Sequence, residues 1–464
     1  MEIVEQGIEH NKIIEMKLHE YQQRIVDFLK TTDKAILSVD MGLGKTAAVL
    51  HYINDTRPSS LLIVAPKRVA ETVWLQEAEK WGLSDVFNKM VIVSGTNTKR
   101  LNTLKDESKP YKIIGRDNLA DVQGIVYELL ILDELTSFKN PLSKRSEAIN
   151  QLSVNKRVGL SGTFIANGAI DVYGQAAAVG LEVATTITTR SGFRLCKPFE
   201  AWRAINFFDV MKGSGQNFSK WKLRISLQDL IKPYRKNIFT LTAADYLTIP
   251  KVAYIEHKIT LSKEEMNNYV QLETSLSVEL DGEILTFDEA AKFMKLQTLA
   301  NGFVYDTELN TAMRGSRSTK LEEVADFCEQ AAAENEQVLL FYAFKEEALW
   351  LSEMLKVKGL RFCSVKDSNF MRKWNNGEID VLIAHPASAG HGLNLQFGGR
   401  IIVWSSITYN FEFWAQANAR LARQGQTKPV QIHVFSAKDT IETKQFSAIR
   451  EKEAKNEEFK QLTK

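Results

Sequence analysis

The chain has 464 residues, 44% of them hydrophobic and 25% charged, which is enough apolar side chain for several cores and too much for a disordered polymer. Its 59 Lys and Arg against 57 Asp and Glu leave a formal +2, which excludes a histone-like polycation and an acidic solvating protein. Nucleic-acid binding stays open, because a sum says nothing about where the charges sit.

At about 150 residues per domain, the length predicts about three units. Cys196, Cys328 and Cys363 form an odd set without short spacing, so neither a disulfide framework nor a Cys-rich zinc site is expected, and a reducing compartment fits. Met1-Glu2-Ile3-Val4-Glu5 is acidic and lacks the basic and apolar regions of a signal peptide. No apolar run approaches the ~18 residues of a spanning helix. A soluble intracellular protein without membrane contact is expected, in the cytoplasm of a bacterium or phage-infected cell or in a nucleus.

In chain order, 35–39, 60–64, 91–93 and 128–132 are short apolar runs bounded by polar or turn residues, and they predict buried strands. Helical patterns follow them, such as Val69 to Trp81. This alternation predicts a parallel sheet covered on both faces. From about 170 to 320 longer amphipathic, helical patterns take over. Strands return at 338–341, 381–384, 400–403 and 431–434, and the charged end from Arg450 to Lys464 is expected to be a solvated helix. The fold class is therefore α/β, with two lobes around a helical middle.

The first strand runs into Asp40-Met41-Gly42-Leu43-Gly44-Lys45-Thr46 and then a helix. Glycines let backbone N–H groups approach phosphate oxygens, and a helix N-terminus favours negative charge. Lys45 would reach the outer phosphates of a nucleoside triphosphate, and the Thr46 hydroxyl would ligate Mg2+. Val39 stands where the generic loop has its first Gly, so this segment alone also fits a glycine-rich turn with an incidental lysine. Asp133-Glu134 closes a later strand. The first carboxylate suits Mg2+ and the second an attacking water, which together point to hydrolysis of ATP.

The middle of the chain concentrates positive charge. Thr186–Thr240 holds eleven Lys and Arg against Glu200, Asp209 and Asp229, a net +8, with nine aromatics interleaved. The cations predict contacts with phosphates that are insensitive to sequence, and the aromatics predict a local core. Further on, Gln416, Arg420 and Arg423 recur at helical spacing and would share one helix face. Two arginines offered by a second lobe to the nucleotide of the first would act as arginine fingers.

These motifs, in this order over nearly the whole chain, resemble the superfamily 2 helicase-type motors, specifically the Swi/Snf-like DNA-dependent ATPases. The matching segments are Leu18-His-Glu-Tyr21-Gln22, the 40–46 loop, Val64-Ala-Pro66 with Trp74, Glu77 and Trp81, Asp133-Glu134 with Lys139-Asn140, and Leu160-Ser-Gly-Thr163 with Asn167. Ser318-Thr-Lys320-Leu321, Gly390-His-Gly-Leu-Asn394-Leu and the arginine segment complete the set. Thr136, Phe164, Ala389 and Ala422 depart from the family's usual residues there, as does Gly115-Arg116-Asp117; none removes a phosphate, Mg2+ or arginine-finger group.

The resemblance implies two RecA-like lobes with helical protrusions inserted between them. It places an ATP-binding lobe over 1–175, a basic protrusion over 176–245, a helical connector over 246–315 and a C-terminal lobe over 316–464. It implies nucleotide binding by Gln22, Met41, Gly42, Leu43, Gly44, Lys45, Thr46 and Gln416, and Mg2+ on Thr46 and Asp133. Catalysis would rest with Lys45, Asp133, Glu134, Arg420 and Arg423. Nucleic-acid contact is implied at Lys67 and Arg68, at Ser161, Thr163 and Asn394, and in the basic segment at Arg224, Arg235 and Lys236. The expected activity is ATP-driven movement along double-stranded DNA by a monomeric motor, with room for a separate protein partner. A strand-separating DNA or RNA helicase, or a nucleotide-gated binding protein of low turnover, are the alternatives.

Overall fold

A short apolar run bounded by turns can hide its backbone and both rows of side chains only inside a sheet covered on each face. The computed structural model bears this out twice. It describes residues 16–464 apart from 167, 182–186, 190–191, 195–197, 211–220, 281–282, 287–288, 307–310 and 390–392. The first sheet comprises β1 (Lys34–Val39), β2 (Leu61–Ala65), β3 (Met90–Val93), β4 (Tyr111–Gly115), β5 (Tyr127–Asp133), β6 (Val154–Ser161) and β7 (Ile238–Leu241). All are parallel, in the order β7-β1-β6-β5-β2-β4-β3. The second comprises β8 (Val252–Ile259), β9 (Val338–Phe341), β10 (Phe362–Ser364), β11 (Val381–Ala384), β12 (Ile401–Trp404) and β13 (Val430–Ala437), parallel in the order β8-β13-β12-β9-β11-β10.

Alternation along each strand divides the cores. Leu37 and Ile63 join Ile25, Val49 and Trp74 on one face of the first sheet, while Ile36, Leu62 and Val64 join Phe138 and Val172 on the other. In the second sheet Leu339 and Phe341 face one way, Val338 and Leu340 the other. Each such side chain contributes about 1.5–3 kcal/mol when fully buried, so both lobes have cores of their own. The chain folds as two RecA-like lobes.

Three expectations need correction. Strand β7 lies in the segment read as a helical protrusion and β8 in the segment read as a helical connector. Both are sheet edges whose mixed polar and apolar residues carry no continuous apolar signal. The middle of the chain also contributes helices, among them Pro198–Asn206, Lys263–Ser275 and Glu289–Leu299, with two-stranded pairs such as Phe207–Asp209 with Trp221–Leu223. Third, the C-terminal helix Ile441–Thr463 is no solvated tail. Ile449 sits in the second lobe's core and Phe459 in the first lobe's, where it stacks on Phe164 at 4.9 Å. Its buried face includes Gln445, Asn456 and Thr463, so the buried side is hidden from a hydrophobic count. No helix among the described residues is long and apolar enough to cross a membrane.

Candidate nucleotide and nucleic-acid sites

Parallel sheets present their ligand sites beyond the carboxyl ends of the strands. There β1 gives way to the 40–44 loop and then to helix α2 (Lys45–Thr56). Gly42 and Gly44 both have positive φ, +85° and +69°, and a Cβ on Gly44 would fall 2.2 Å from Gln22 Nε2. Gln22 itself lies in helix α1 (Glu20–Thr31), is buried, and donates to the Leu43 carbonyl at 3.2 Å. Helix α1 is thereby tied to the loop. Leu43 turns its side chain into the core and offers only backbone. Lys45 Nζ donates to the carbonyls of Val39 at 2.7 Å and Asp40 at 3.1 Å. Desolvation pulls this ammonium below the ordinary lysine range, against the opposing pull of Glu134, Asp40 and Asp133.

At the end of β5, Asp133 Oδ2 accepts from Trp74 Nε1 at 3.0 Å, and desolvation raises its carboxyl above the usual range. Glu134 occupies a left-handed conformation, φ +57°, that turns it out of the strand toward the other lobe. Desolvation first, then the neighbouring Glu412 and Asp133, push its carboxyl up to about 8. Gln416 Nε2 reaches across from the second lobe to Glu134 Oε1 at 3.2 Å and to Glu412 Oε1 at 3.4 Å.

The arginines arrive by a route other than the expected helix face. Helix Phe411–Asn418 stops before them, and Arg420 and Arg423 sit in the turns that lead to Gly425, φ +94°. Arg420 donates to the carbonyls of Gln416 at 3.0 Å and Leu393 at 3.3 Å. Arg423 donates to Leu393 O at 3.4 Å and Asn394 Oδ1 at 3.0 Å. Burial, then the adjacent Arg423, bring Arg420 down to about 10. Gln22, Met41, Gly42, Gly44, Lys45, Thr46, Asp133, Glu134, Arg420 and Arg423 line one cleft of about 520 Å³ between the lobes. Of the expected nucleotide residues only Leu43, by its side chain, and Gln416, bonded just behind Glu134, stand off its wall.

Thr46 and Asp133 are hard oxygen donors on that wall, and the Asp133 carboxyl is desolvated; this set fits Mg2+. No cluster of three or more His, Cys, Asp or Glu among the described residues could hold a metal alone.

The candidate nucleic-acid residues scatter. Lys67 and Arg68 are exposed at the start of helix α3 (Lys67–Lys80), and Lys236 is exposed. Arg224 gives its Nε to Phe207 O at 2.7 Å, and Arg235 is half-buried. Ser161 and Thr163 are buried, Thr163 between the lobes, in a tight turn where Thr163 N donates to Ser161 Oγ at 3.1 Å. Asn394 lines the same cleft as Lys45 and Glu134, beside Arg423. Within the basic segment Trp202, Phe207 and Tyr234 belong to the first lobe's core rather than to a separate local one. Arg190, Lys197, Lys212 and Lys220, like Asn167 and Gly390–Gly392, lie outside the described residues.

Sequence reasoning missed the role of helix α3. The resemblance that marked Trp74, Glu77 and Trp81 assigned none of them to the nucleotide. Yet Trp74 is wholly buried against Asp133, while Glu77, Lys80 and Trp81 form a wall of the cleft. Glu412, which crowds Glu134, carried no signal.

The SNF2-related domain family matches residues 21–317. A protein of Acyrthosiphon pisum secondary endosymbiont phage 1 is 30% identical over 454 residues, covering 91% of this chain and 93% of its own length. An uncharacterized ATP-dependent helicase of Mycoplasma genitalium is 24% identical over 94% of this chain and 41% of its own. The ISWI chromatin-remodeling complex ATPase of Saccharomyces cerevisiae is 21% identical over 92% and 39%. The SWI2/SNF2 ATPase core of Sulfolobus solfataricus in complex with dsDNA covers 97% of each chain at 18% identity, with a TM-score of 0.42. The chain thus spans nearly all of the phage protein but less than half of the helicase or the yeast ATPase. The family match over more than half of the sequence, with the phage protein's identity over nearly its full length, shows that the chain belongs to the SNF2-related family of superfamily 2 helicase-type motors.

Proposed function

We propose that the chain hydrolyses ATP between its two lobes and uses the resulting opening and closure to move along double-stranded DNA without separating the strands. The observation that carries this reading is the shared cleft: phosphate-loop, carboxylate and arginine groups from two separate lobes converge on one space, and Gln416 of the second lobe touches Glu134 of the first. A site divided in this way responds to the distance between the lobes. A nucleotide that completes it converts binding into relative motion.

In this reading Gln22 meets the base, and the 42–46 backbone and Lys45 meet the phosphates; Lys45 exchanges the Val39 and Asp40 carbonyls for phosphate oxygens. Thr46 and Asp133 would hold Mg2+, which would supply neutralisation of charge on the outer phosphates. Glu134 orients the attacking water and takes its proton. Arg420 and Arg423 face the charge that develops on the γ-phosphate. The lobe built on 1–175 together with β7 and the lobe built on 316–464 together with β8 are the two moving parts, and the segments between them carry the basic surface. The relatives named as helicases and remodelling ATPases, and Lys67, Arg68 and Lys236 exposed on the first lobe, support nucleic acid as the track. A complete cleft within one chain supports a monomer.

The test is the ATPase rate with no nucleic acid, with duplex DNA, with single-stranded DNA and with RNA. Duplex DNA is expected to stimulate most, with a steep fall as salt is raised. Preference for RNA or single strands would overturn the duplex assignment.

A further inference from the structure

The C-terminal helix begins in one lobe and ends in the other. Glu442 near its start pairs with the buried Lys320 at 2.5 Å, and Gln445 donates to Ile407 O at 2.5 Å, both within the second lobe. Its last turn belongs to the first lobe: Phe459 is fully buried against Phe164, Thr463 shares a hydrogen bond of 2.7 Å with Thr240 on β7, and Lys464 pairs with Asp245 at 2.7 Å. Between these contacts Lys460, 6% exposed, places Nζ 2.7 Å from Asp40 Oδ1 and 2.6 Å from Glu457.

Asp40 is the residue that opens the phosphate loop. Its second carboxylate oxygen accepts from Ala243 N at 2.9 Å, and its carbonyl accepts from Lys45 Nζ at 3.1 Å. One residue is thus gripped by the C-terminal helix through its side chain and by the phosphate lysine through its backbone.

We infer that Lys460 is a positioning residue for nucleotide binding, holding the phosphate loop through Asp40 and so making the last turn of the C-terminal helix part of the ATP site. The physical reason is competition for Lys45. With Lys460 in place the Asp40 carboxylate is neutralised away from the cleft. Without it, a carboxylate five residues from Lys45 loses its 2.7 Å partner, so that Lys45 is drawn toward it and away from the phosphates while a bare negative charge repels them. Because the same helix is rooted in the second lobe, movement of that lobe bears on the loop mechanically. The inference rests on the proposed ATP site.

The experiment measures equilibrium binding of a fluorescent ATP analogue to the full chain, together with ATPase KM and kcat, for wild type, Lys460→Ala, Lys460→Arg, Lys460→Gln and the double variant Lys460→Ala with Asp40→Asn. Lys460→Ala and Lys460→Gln are expected to weaken nucleotide binding and raise KM about tenfold, with kcat within about twofold. Lys460→Arg should restore most of the loss. Asp40→Asn in the Lys460→Ala background should also recover binding, because it removes the stray charge; a purely structural role for the helix would not produce that rescue. Unchanged binding in Lys460→Ala or Lys460→Gln, or a loss that Asp40→Asn leaves uncorrected, overturns the inference. Should Lys460→Ala not fold, Lys460→Gln carries the same comparison. Failure of wild type to bind the analogue would instead sink the ATP site itself.

Discussion

Glu134 is where the chemistry of the cleft narrows to one side chain. It stands in a left-handed turn, desolvated, beside two other carboxylates and within 3.2 Å of a side chain from the opposite lobe. Positive φ in a non-glycine residue costs about 1–3 kcal/mol and is kept where surrounding structure imposes it. Glu134→Gln keeps the shape and the bond to Gln416 but removes the proposed base. It is expected to lower kcat about 10²- to 10⁴-fold while nucleotide affinity stays within about threefold; near-normal turnover would remove Glu134 from its role. Arg423→Ala should act on kcat more than on KM, by about 10³-fold. An unchanged kcat would return that side chain to simple contact with Leu393 and Asn394.

These positions were legible because phosphate, Mg2+ and transition-state charge dictate residue types at short spacings along the chain. The residues that hold them were not. Trp74 meets Asp133, Glu412 crowds Glu134 and Lys460 pairs with Asp40 from 59, 278 and 420 positions away in the chain, and nothing local marks such pairs.

Among the elements, strands made of unbroken apolar residues were readable and strands carrying a buried charge were not. In β4 the buried Lys112 donates to the carbonyls of Thr103 and Asp106, both at 2.6 Å, and in β6 Arg157 donates to Ile149, Leu152 and Ala178 at 2.6–3.2 Å. Each side chain satisfies carbonyls that a nearby helix or turn end leaves open, which explains a cation inside a sheet lobe but breaks the hydrophobic pattern.

Helix Asp171–Ala178 sets the position of the loop after Glu134. A Cβ at Gly174 would stand 2.4 Å from Lys139 O and 2.5 Å from Phe138 O, and backbone cannot move aside as a side chain can. Gly174→Ala is expected to destabilise the first lobe by about 1–3 kcal/mol, read by thermal or denaturant unfolding, and to slow turnover as well. Unaltered stability would mean that helix and loop are not in register as described.

In the second lobe His257 Nε2 and His433 Nδ1 lie 2.9 Å apart across β8 and β13. Burial first, then His257 and Arg400, lower His433 to about 4. An unfolded chain takes up that proton below about pH 6.5, whereas the folded one resists. The stability involved is therefore complete above pH 6.5 and lost as pH falls toward 4. Between pH 7.5 and 5 the melting temperature of His433→Gln should fall less than that of wild type; equal falls would show that the pair does not govern acid sensitivity.

For the molecule as a whole, the near-neutral +2 conceals a division of labour. A segment of net +8 lies among residues that otherwise sum to a negative charge. Two lobes, each with its own core, meet at a cleft whose walls neither completes alone. The lobes were legible as alternating strand and helix patterns. Their joining was not: the C-terminal helix that links them has polar side chains on its buried face, and only the folded chain brings Phe459 to Phe164 and Lys460 to Asp40. That helix ties the two lobes into one device, against which a nucleotide bound between them is proposed to act.

The central claim is that this device moves along intact duplex DNA. It is tested most directly by displacement of a triplex-forming third strand from a duplex, followed alongside separation of the duplex strands. The account predicts ATP-dependent release of the third strand, abolished by Glu134→Gln, with the duplex left paired. Retention of the third strand under active ATP hydrolysis, or separation of the duplex strands, would contradict it.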